Sequence, residues 1–88
     1  GKKITLIYNT YADKEYREIL TILAPIIETV EIIEVDEARI VQRELLELAL
    51  SALKLEYTSF KEIQTTKQYL VFGSFSVAEA FLNRMNSN

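Results

Sequence analysis

Along this 88-residue chain, short apolar runs alternate with segments whose apolar residues recur at helical spacing. This pattern predicts alternating strands and helices. Short apolar runs rich in β-branched residues predict buried strands at Ile4–Tyr8, residues 29–35 and Tyr69–Phe72. Residues 55–58 alternate with polar positions and predict a more exposed strand. Helices between strands are typical of parallel sheets with right-handed crossovers, and we expect the strand order 3-2-1-4.

The first two predicted helices follow the first two strands. Asp13 is placed to cap the first helix, Lys14 falls in its opening turn, and Pro25 should end it. The second helix is predicted over residues 38–53, with Asp36 as its cap. Its expected buried stripe, which follows helical spacing, consists of Val41, Leu45, Leu48, Ala49 and Ala52, widened by Leu46, Leu50 and Leu53.

Two serine–glutamate pairs have the spacing of a capping box. Ser59 with Glu62 predicts a short helical turn, and Ser76 with Glu79 predicts the start of a final helix. Residues 64–68 are polar and predict a connector. The apolar face expected for the final helix is formed by Val77, Ala78, Phe81, Leu82 and Met85. Residues 86–88 are interpreted as a frayed end.

The whole pattern predicts an α/β fold: residues 1–88 form a single Rossmann-like, three-layer domain with a mostly parallel sheet of about four strands flanked by helices.

The chain has no cysteine, which excludes disulfides and thiolate metal sites and fits the cytoplasm. It also has no histidine, which removes the usual neutral-pH general base. The net charge of −3 argues against nucleic-acid binding, and no apolar run is long enough to cross a membrane. We read Glu31 and Glu34 as solvent-facing or edge charges.

In an open α/β sheet, ligands bind beyond the carboxyl ends of the strands where the winding reverses. The order 3-2-1-4 puts this reversal between the first and last strands. The loop from Thr10 to Lys14 and the turn Gly73-Ser74 should meet there, each before the N-terminus of a helix. Lys14 offers a cation and Ser74 a hydroxyl, so the crevice suits a carboxylate or a phosphate. On spacing alone, a structural role for each, including a tight turn at Gly73 and a cap at Asp13, is the simpler reading.

Two motifs in this crevice resemble a known family. Ala12-Asp13-Lys14-Glu15 and the strand that runs into Gly73-Ser74 resemble the C-terminal domain of the folylpolyglutamate synthase/dihydrofolate synthase family, relatives of the Mur peptidoglycan ligases. The similarity spans nearly the whole chain. It implies an ATP-dependent ligase that joins L-glutamate to a folate or dihydropteroate carboxyl through an acyl phosphate. It also implies that Lys14 and Ser74 bind glutamate, with Asp13 and Gly73 in support and no catalytic residue or metal ligand in this chain.

The resemblance has departures, which point to a part of a larger enzyme. The family's phosphate loop and magnesium ligands belong to an N-terminal ATPase domain, so ATP and magnesium are implied for the parent and no cofactor for this domain alone. An Asp-x-x-His-Asn-Pro element that precedes the first strand in the family is missing here, and Glu15 replaces an aspartate. Two alternatives stay open: a free-standing α/β interaction or regulatory domain without catalysis, and a half-Rossmann domain that binds a small anion or nucleotide.

Overall fold

The computed structural model describes residues 3–86 and contains one four-stranded sheet with three α-helices. All strand pairs are parallel, and the strand order β3-β2-β1-β4 confirms the expected topology. No described helix is long and apolar enough to span a bilayer. In chain order the elements are β1 (Ile4–Tyr8), α1 (Tyr16–Leu23), a 3-10 turn (Ala24–Ile26), β2 (Ile27–Ile32), α2 (Arg43–Ala52), β3 (Glu56–Ser59), β4 (Tyr69–Phe72) and α3 (Phe75–Asn86).

The sheet is the middle of three layers, because successive side chains of a strand point to opposite faces. Leu6 of β1 packs in a core that contains Leu20 of α1 and Leu46 of α2. Ile7, the next residue, packs in a second core with Val77 of α3. The strand β1 is apolar on both faces for this reason, and the three-layer α/β prediction is confirmed.

The first helix begins later than the sequence predicts. Its N-cap position is Glu15, and Asp13 lies outside the helix, so the expected Asp13 cap is wrong. The backbone N–H of Lys14 instead donates to the carbonyl of Tyr11 at 3.2 Å, which closes a turn before the helix can start. Lys14 therefore precedes the opening turn of α1. The helix ends at Leu23, and Pro25 lies in the 3-10 turn as expected for a helix breaker.

The second strand and the second helix also have different bounds from those predicted. The strand β2 ends at Ile32, and α2 begins at Arg43 without a side-chain cap, so the Asp36 cap is wrong. Residues 39–41 lie outside the helix because they pair with the loop after β1: the Tyr11–Ile40 bridge is antiparallel and lies outside the sheet. The buried face of α2 is Leu46, Ala49 and Leu50, whereas Leu45 and Leu48 are 42% and 61% exposed.

The connection from β3 to β4 contains no helix, so the turn expected from Ser59 and Glu62 is wrong. The N–H of Phe60 donates to the carbonyl of Ile32 at 2.9 Å, which continues the strand pairing and buries the Phe60 ring. In α3, Val77 is buried and Phe81 and Met85 pack beside it, while Ala78 and Leu82 are exposed. Asn86 belongs to α3; Ser87 and Asn88 lie outside the described residues.

Glu31 is buried, contrary to the prediction, and Glu34 is exposed. The ammonium of Lys67 donates to the Glu31 carboxylate at 3.1 Å and thereby supplies the charge partner that a buried carboxylate requires. This hydrogen bond is the main cause that raises the pKa of Lys67 above its ordinary value. The pair joins the β3–β4 connection to β2.

The Lys67→Met variant should be less stable than the unsubstituted chain at neutral pH. A lysine whose pKa is raised by folding contributes stability fully below its unfolded pKa, about 10.4, and loses it as the pH rises through the folded value. The difference in urea-unfolding free energy between the two proteins should therefore be constant from neutral pH to about pH 10 and shrink above it. Lys61→Met, at an exposed lysine of the same connection, is the control. Equal stability of the unsubstituted chain and Lys67→Met at pH 7 would contradict this.

Candidate functional site

The loops after β1 and β4 touch where the winding of the sheet reverses. Gly73 has φ +141°, a conformation that side chains with a Cβ rarely adopt. A Cβ at this position would lie 2.3 Å from the carbonyl oxygen of Asn9 and 2.9 Å from Cγ2 of Val77. Gly73 is thus required by the close approach of two backbone segments, and the predicted tight turn is confirmed.

Asn9 anchors the first of these loops. Its side-chain Nδ2 donates to the carbonyl of Ile33 at 2.8 Å, and its Oδ1 accepts from the backbone N–H of Thr10 at 2.8 Å. Both Asn9 and Thr10 are buried, so these hydrogen bonds satisfy polar groups that would otherwise be costly to bury. Asn9 was not among the predicted site residues. A polar residue directly after a buried strand was the available signal.

Tyr11 joins the same loop to the start of α3. Its hydroxyl and the Oγ of Ser76 are 2.6 Å apart. Ser76 is the second residue of α3, so it is bound to Tyr11 rather than serving as the predicted cap. The guanidinium of Arg39 lies 4.2 Å from the centre of the Tyr11 ring and 3.8 Å from the carboxylate of Asp13. These contacts bring the loop that carries Asp13 and Lys14 to the helix that follows Ser74.

Lys14 is exposed and makes no ion pair with any residue from 3 to 86. Its neighbour Asp13 is also exposed, and its contact with Arg39 is long. Such a contact between solvated groups adds little stability. The Lys14 ammonium is accordingly available to an anionic ligand. Arg39 is a second cation in this loop region, and it could not be predicted from the sequence because its position depends on the Tyr11–Ile40 pairing.

Ser74 occupies the turn directly before α3. Its carbonyl accepts the N–H groups of Val77 at 3.0 Å and Ala78 at 3.3 Å, which starts the helix. Its Oγ is buried and has no hydrogen-bond partner within the described part of the chain. Most buried hydroxyls have a partner, so this group is a candidate donor to a ligand. The first N–H groups of α3 point toward the same end of the helix and favour negative charge there.

Beneath this turn lies an apolar, uncharged contact between β1 and β4. The rings of Tyr8 and Phe72 are stacked with centres 6.4 Å apart. Burial raises the pKa of Tyr8, so its phenol is neutral at physiological pH. Across residues 3–86 no group of acidic side chains has the geometry to hold a metal ion. The positive and hydrogen-bond-donating groups here are suited to a carboxylate.

A neighbouring cavity of about 460 Å³ opens near the carboxyl ends of β1, β2 and β3. Its lining includes Asn9, Arg43, Phe60 and Arg84 but neither Lys14 nor Ser74. The predicted site is therefore an open surface at the carboxyl ends of β1 and β4. Asn9 lies at the boundary between this surface and the cavity. The structure brings Gly73 and the loop after β1 together, as expected.

The four parallel strands and their two helical layers define a Rossmann-like α/β domain. The chain is similar to Helicobacter pylori folylpolyglutamate synthetase, known from its crystal structure: 44% of residues are identical over 99% of this chain, with a TM-score of 0.96. The predicted resemblance to the folylpolyglutamate synthetase family is thus confirmed, and the chain corresponds to a domain of that enzyme. It spans 23% of that synthetase's length. No protein-family model matches the sequence, and no curated protein matches it significantly.

Proposed function

We propose that this chain is the C-terminal, glutamate-binding domain of a cytoplasmic ATP-dependent ligase that adds L-glutamate to a folate or to dihydropteroate. The observation that carries the proposal is the 44% identity, with a TM-score of 0.96, to a folylpolyglutamate synthetase. Because the chain covers less than a quarter of that synthetase, the rest of the activity belongs to other parts of a longer protein. These parts would include an ATPase domain that binds ATP and magnesium.

The chemistry of such a ligase sets what this domain must do. Transfer of the γ-phosphoryl group of ATP to the pterin substrate's carboxylate gives an acyl phosphate and ADP. The glutamate amine then attacks the acyl carbon, an amide bond forms, phosphate leaves and the amine loses a proton. A domain that holds glutamate through its carboxylates leaves the amine free and oriented for this attack, which lowers the entropic part of the barrier.

Lys14 and Ser74 are the residues that we assign to the glutamate carboxylates. The Lys14 ammonium is exposed without an ion-pair partner in residues 3–86, and the Ser74 hydroxyl is buried without a hydrogen-bond partner in the same range. Hydrogen bonds from either group to a carboxylate are charge-assisted and stronger than neutral ones. Asp13 and Gly73 support them: Asp13 through Arg39, and Gly73 by the close approach of its turn to Asn9.

The longer protein that contains this chain should release phosphate from ATP only when both a pterin substrate and L-glutamate are present. The product should be one glutamyl residue heavier by mass spectrometry. D-glutamate and L-aspartate are the controls, since each alters the position of one carboxylate or the amine. Phosphate release that is independent of glutamate, or a product without an added glutamyl residue, would contradict the proposed reaction.

A further inference from the structure

Arg39 is held against the loop that carries Lys14. The guanidinium carbon of Arg39 lies 4.2 Å from the centre of the Tyr11 ring. The backbone carbonyl of Arg39 accepts the N–H of Ala12 at 2.8 Å, which is part of the pairing around the Tyr11–Ile40 bridge. Both the backbone and the side chain of Arg39 are therefore fixed relative to this loop, although 25 positions separate the residue from Lys14 in the sequence.

Tyr11 also connects Arg39 to the start of α3. The Tyr11 hydroxyl lies 2.6 Å from Oγ of Ser76, which is two residues after Ser74. One aromatic ring thus has the Arg39 guanidinium over its face and the first turn of α3 at its hydroxyl end. This arrangement places Arg39 beside the same turn that carries the unpartnered hydroxyl of Ser74.

The face of the Arg39 guanidinium is occupied, but its N–H groups are open. They donate to no residue in the range 3–86, and the side chain is 59% exposed. The Asp13 carboxylate lies 3.8 Å away, beyond normal hydrogen-bond distance. Such an exposed contact contributes little, so a ligand carboxylate can replace it at little cost. A guanidinium binds a carboxylate through two parallel hydrogen bonds, and stacking on Tyr11 orients its plane without using a donor.

Recognition of glutamate needs more than one cation at this surface. L-Glutamate has two carboxylates, and the Lys14 ammonium selects for charge at one of them. The Ser74 hydroxyl can donate to an amide oxygen as well as to a carboxylate, so it does not by itself reject an amide. Selection of a dicarboxylate over its two monoamides therefore requires a second cation, and Arg39 is tied to the same loop as Lys14.

We propose that Arg39 is a specificity-determining residue whose guanidinium binds the second carboxylate of the incoming amino acid. This inference rests on the proposed function, because it concerns the same site. Lys14 and Arg39 divide the two carboxylates between them, and Ser74 assists. The site consequently prefers an amino acid with two carboxylates to one in which either carboxylate is replaced by an amide.

The two monoamides of glutamate test this division in the full-length enzyme. L-Glutamine carries an amide in place of the side-chain carboxylate, and L-isoglutamine carries one in place of the α-carboxylate. Arg39→Met should lower kcat/KM for L-glutamate by roughly tenfold or more, with kcat/KM for one monoamide changed less than about threefold. Lys14→Met should spare the other monoamide. Phosphate release and product mass report turnover, and inhibition constants against L-glutamate replace them where turnover is too slow.

Two further arginine variants serve as controls. Arg39→Lys keeps the charge but loses the planar pair of donors, so its selectivity should lie between those of the unsubstituted enzyme and Arg39→Met. Arg43→Met makes the same change as Arg39→Met at an arginine that is already bonded to Glu47 at 2.9 Å. The selectivity of Arg43→Met should equal that of the unsubstituted enzyme.

An unchanged kcat/KM for L-glutamate in Arg39→Met would overturn the inference, and this outcome decides alone if neither monoamide binds. Equal losses for L-glutamate and both monoamides would also overturn it, because that pattern indicates a residue that only stabilises the loop. If Lys14→Met raises the glutamate KM and Arg39→Met does not, this inference alone is contradicted. Phosphate release that is independent of glutamate in the unsubstituted enzyme would instead contradict the proposed function.

Discussion

The Gly73→Ala variant should lose roughly 3 kcal/mol or more of unfolding free energy. A non-glycine residue in a sparsely populated backbone region costs about 1–3 kcal/mol by itself. Here the added Cβ would also meet the Asn9 carbonyl oxygen at 2.3 Å and Val77 Cγ2 at 2.9 Å. The nearer contact is with backbone, which cannot move to another rotamer, so strands β1 and β4 would have to separate. The total free energy of unfolding of a folded protein is about 5–15 kcal/mol, so this loss is severe.

Urea unfolding of the 88-residue chain measures this loss. The matched control is Ser74→Ala, one residue further on, which removes a buried hydroxyl that has no partner in residues 3–86. This control should be neutral or slightly stabilising, because an unsatisfied polar group is costly to bury. If Gly73→Ala unfolds within about 0.5 kcal/mol of the unsubstituted chain, the close approach of the two loops is wrong.

The ends of β1 and β4 could be predicted because each depends on local sequence, and the strand order could be predicted from the alternation of strands and helices. Ile4–Tyr8 and Tyr69–Phe72 are continuous apolar runs bounded by polar or glycine residues, so their limits are visible in the sequence. Gly73 could also be predicted, since a glycine directly after a buried strand and before a helix usually marks a close turn.

The start of α2 could not be predicted, because it is set by a contact that is distant in the sequence. The pairing of Tyr11 with Ile40 keeps residues 39–41 out of the helix, although their sequence is compatible with one. The same contact places Arg39 beside Asp13, while the turn closed by the Lys14 N–H keeps Asp13 two residues before the N-cap position of α1. Tertiary pairing here overrides local capping preference.

The predicted buried stripe of α2 is confirmed for Leu46, Ala49 and Leu50 and wrong for Leu45 and Leu48, for a different reason. Leucines at positions 45, 46, 48 and 50 give the helix apolar residues on several sides, so helical spacing alone allows more than one orientation. The structure buries Leu46 and Leu50 against the sheet. The roles of Lys14 and Ser74 stay a proposal, supported by the position of their loops at the carboxyl ends of the neighbouring strands β1 and β4.

Replacement of Lys14 or Ser74 should weaken glutamate binding by the parent enzyme far more than nucleotide binding. A hydrogen bond to a charged group contributes about 1.5–3 kcal/mol, which corresponds to roughly a ten- to hundredfold change in affinity. Lys14→Met removes the ammonium and keeps most of the apolar stem. Ser74→Ala removes only the hydroxyl, and both changes leave the backbone of their loops intact.

Two substitutions at distant positions control for general effects. Lys3→Met removes a lysine next to the start of β1, at the opposite end of the strands from the site. Ser51→Ala removes an exposed serine near the end of α2. Neither position contacts the loops after β1 and β4 in the proposed site, so both variants should retain the glutamate KM of the unsubstituted enzyme.

The most direct test of glutamate binding by this domain is the KM for L-glutamate and for ATP, measured side by side in the full-length enzyme. The account predicts that Lys14→Met and Ser74→Ala each raise the glutamate KM by roughly tenfold or more, with the ATP KM changed less than about threefold. An unchanged glutamate KM in both variants would contradict the assignment of the loops after β1 and β4 to the incoming amino acid. An equal rise in the KM for glutamate and the KM for ATP would also contradict it.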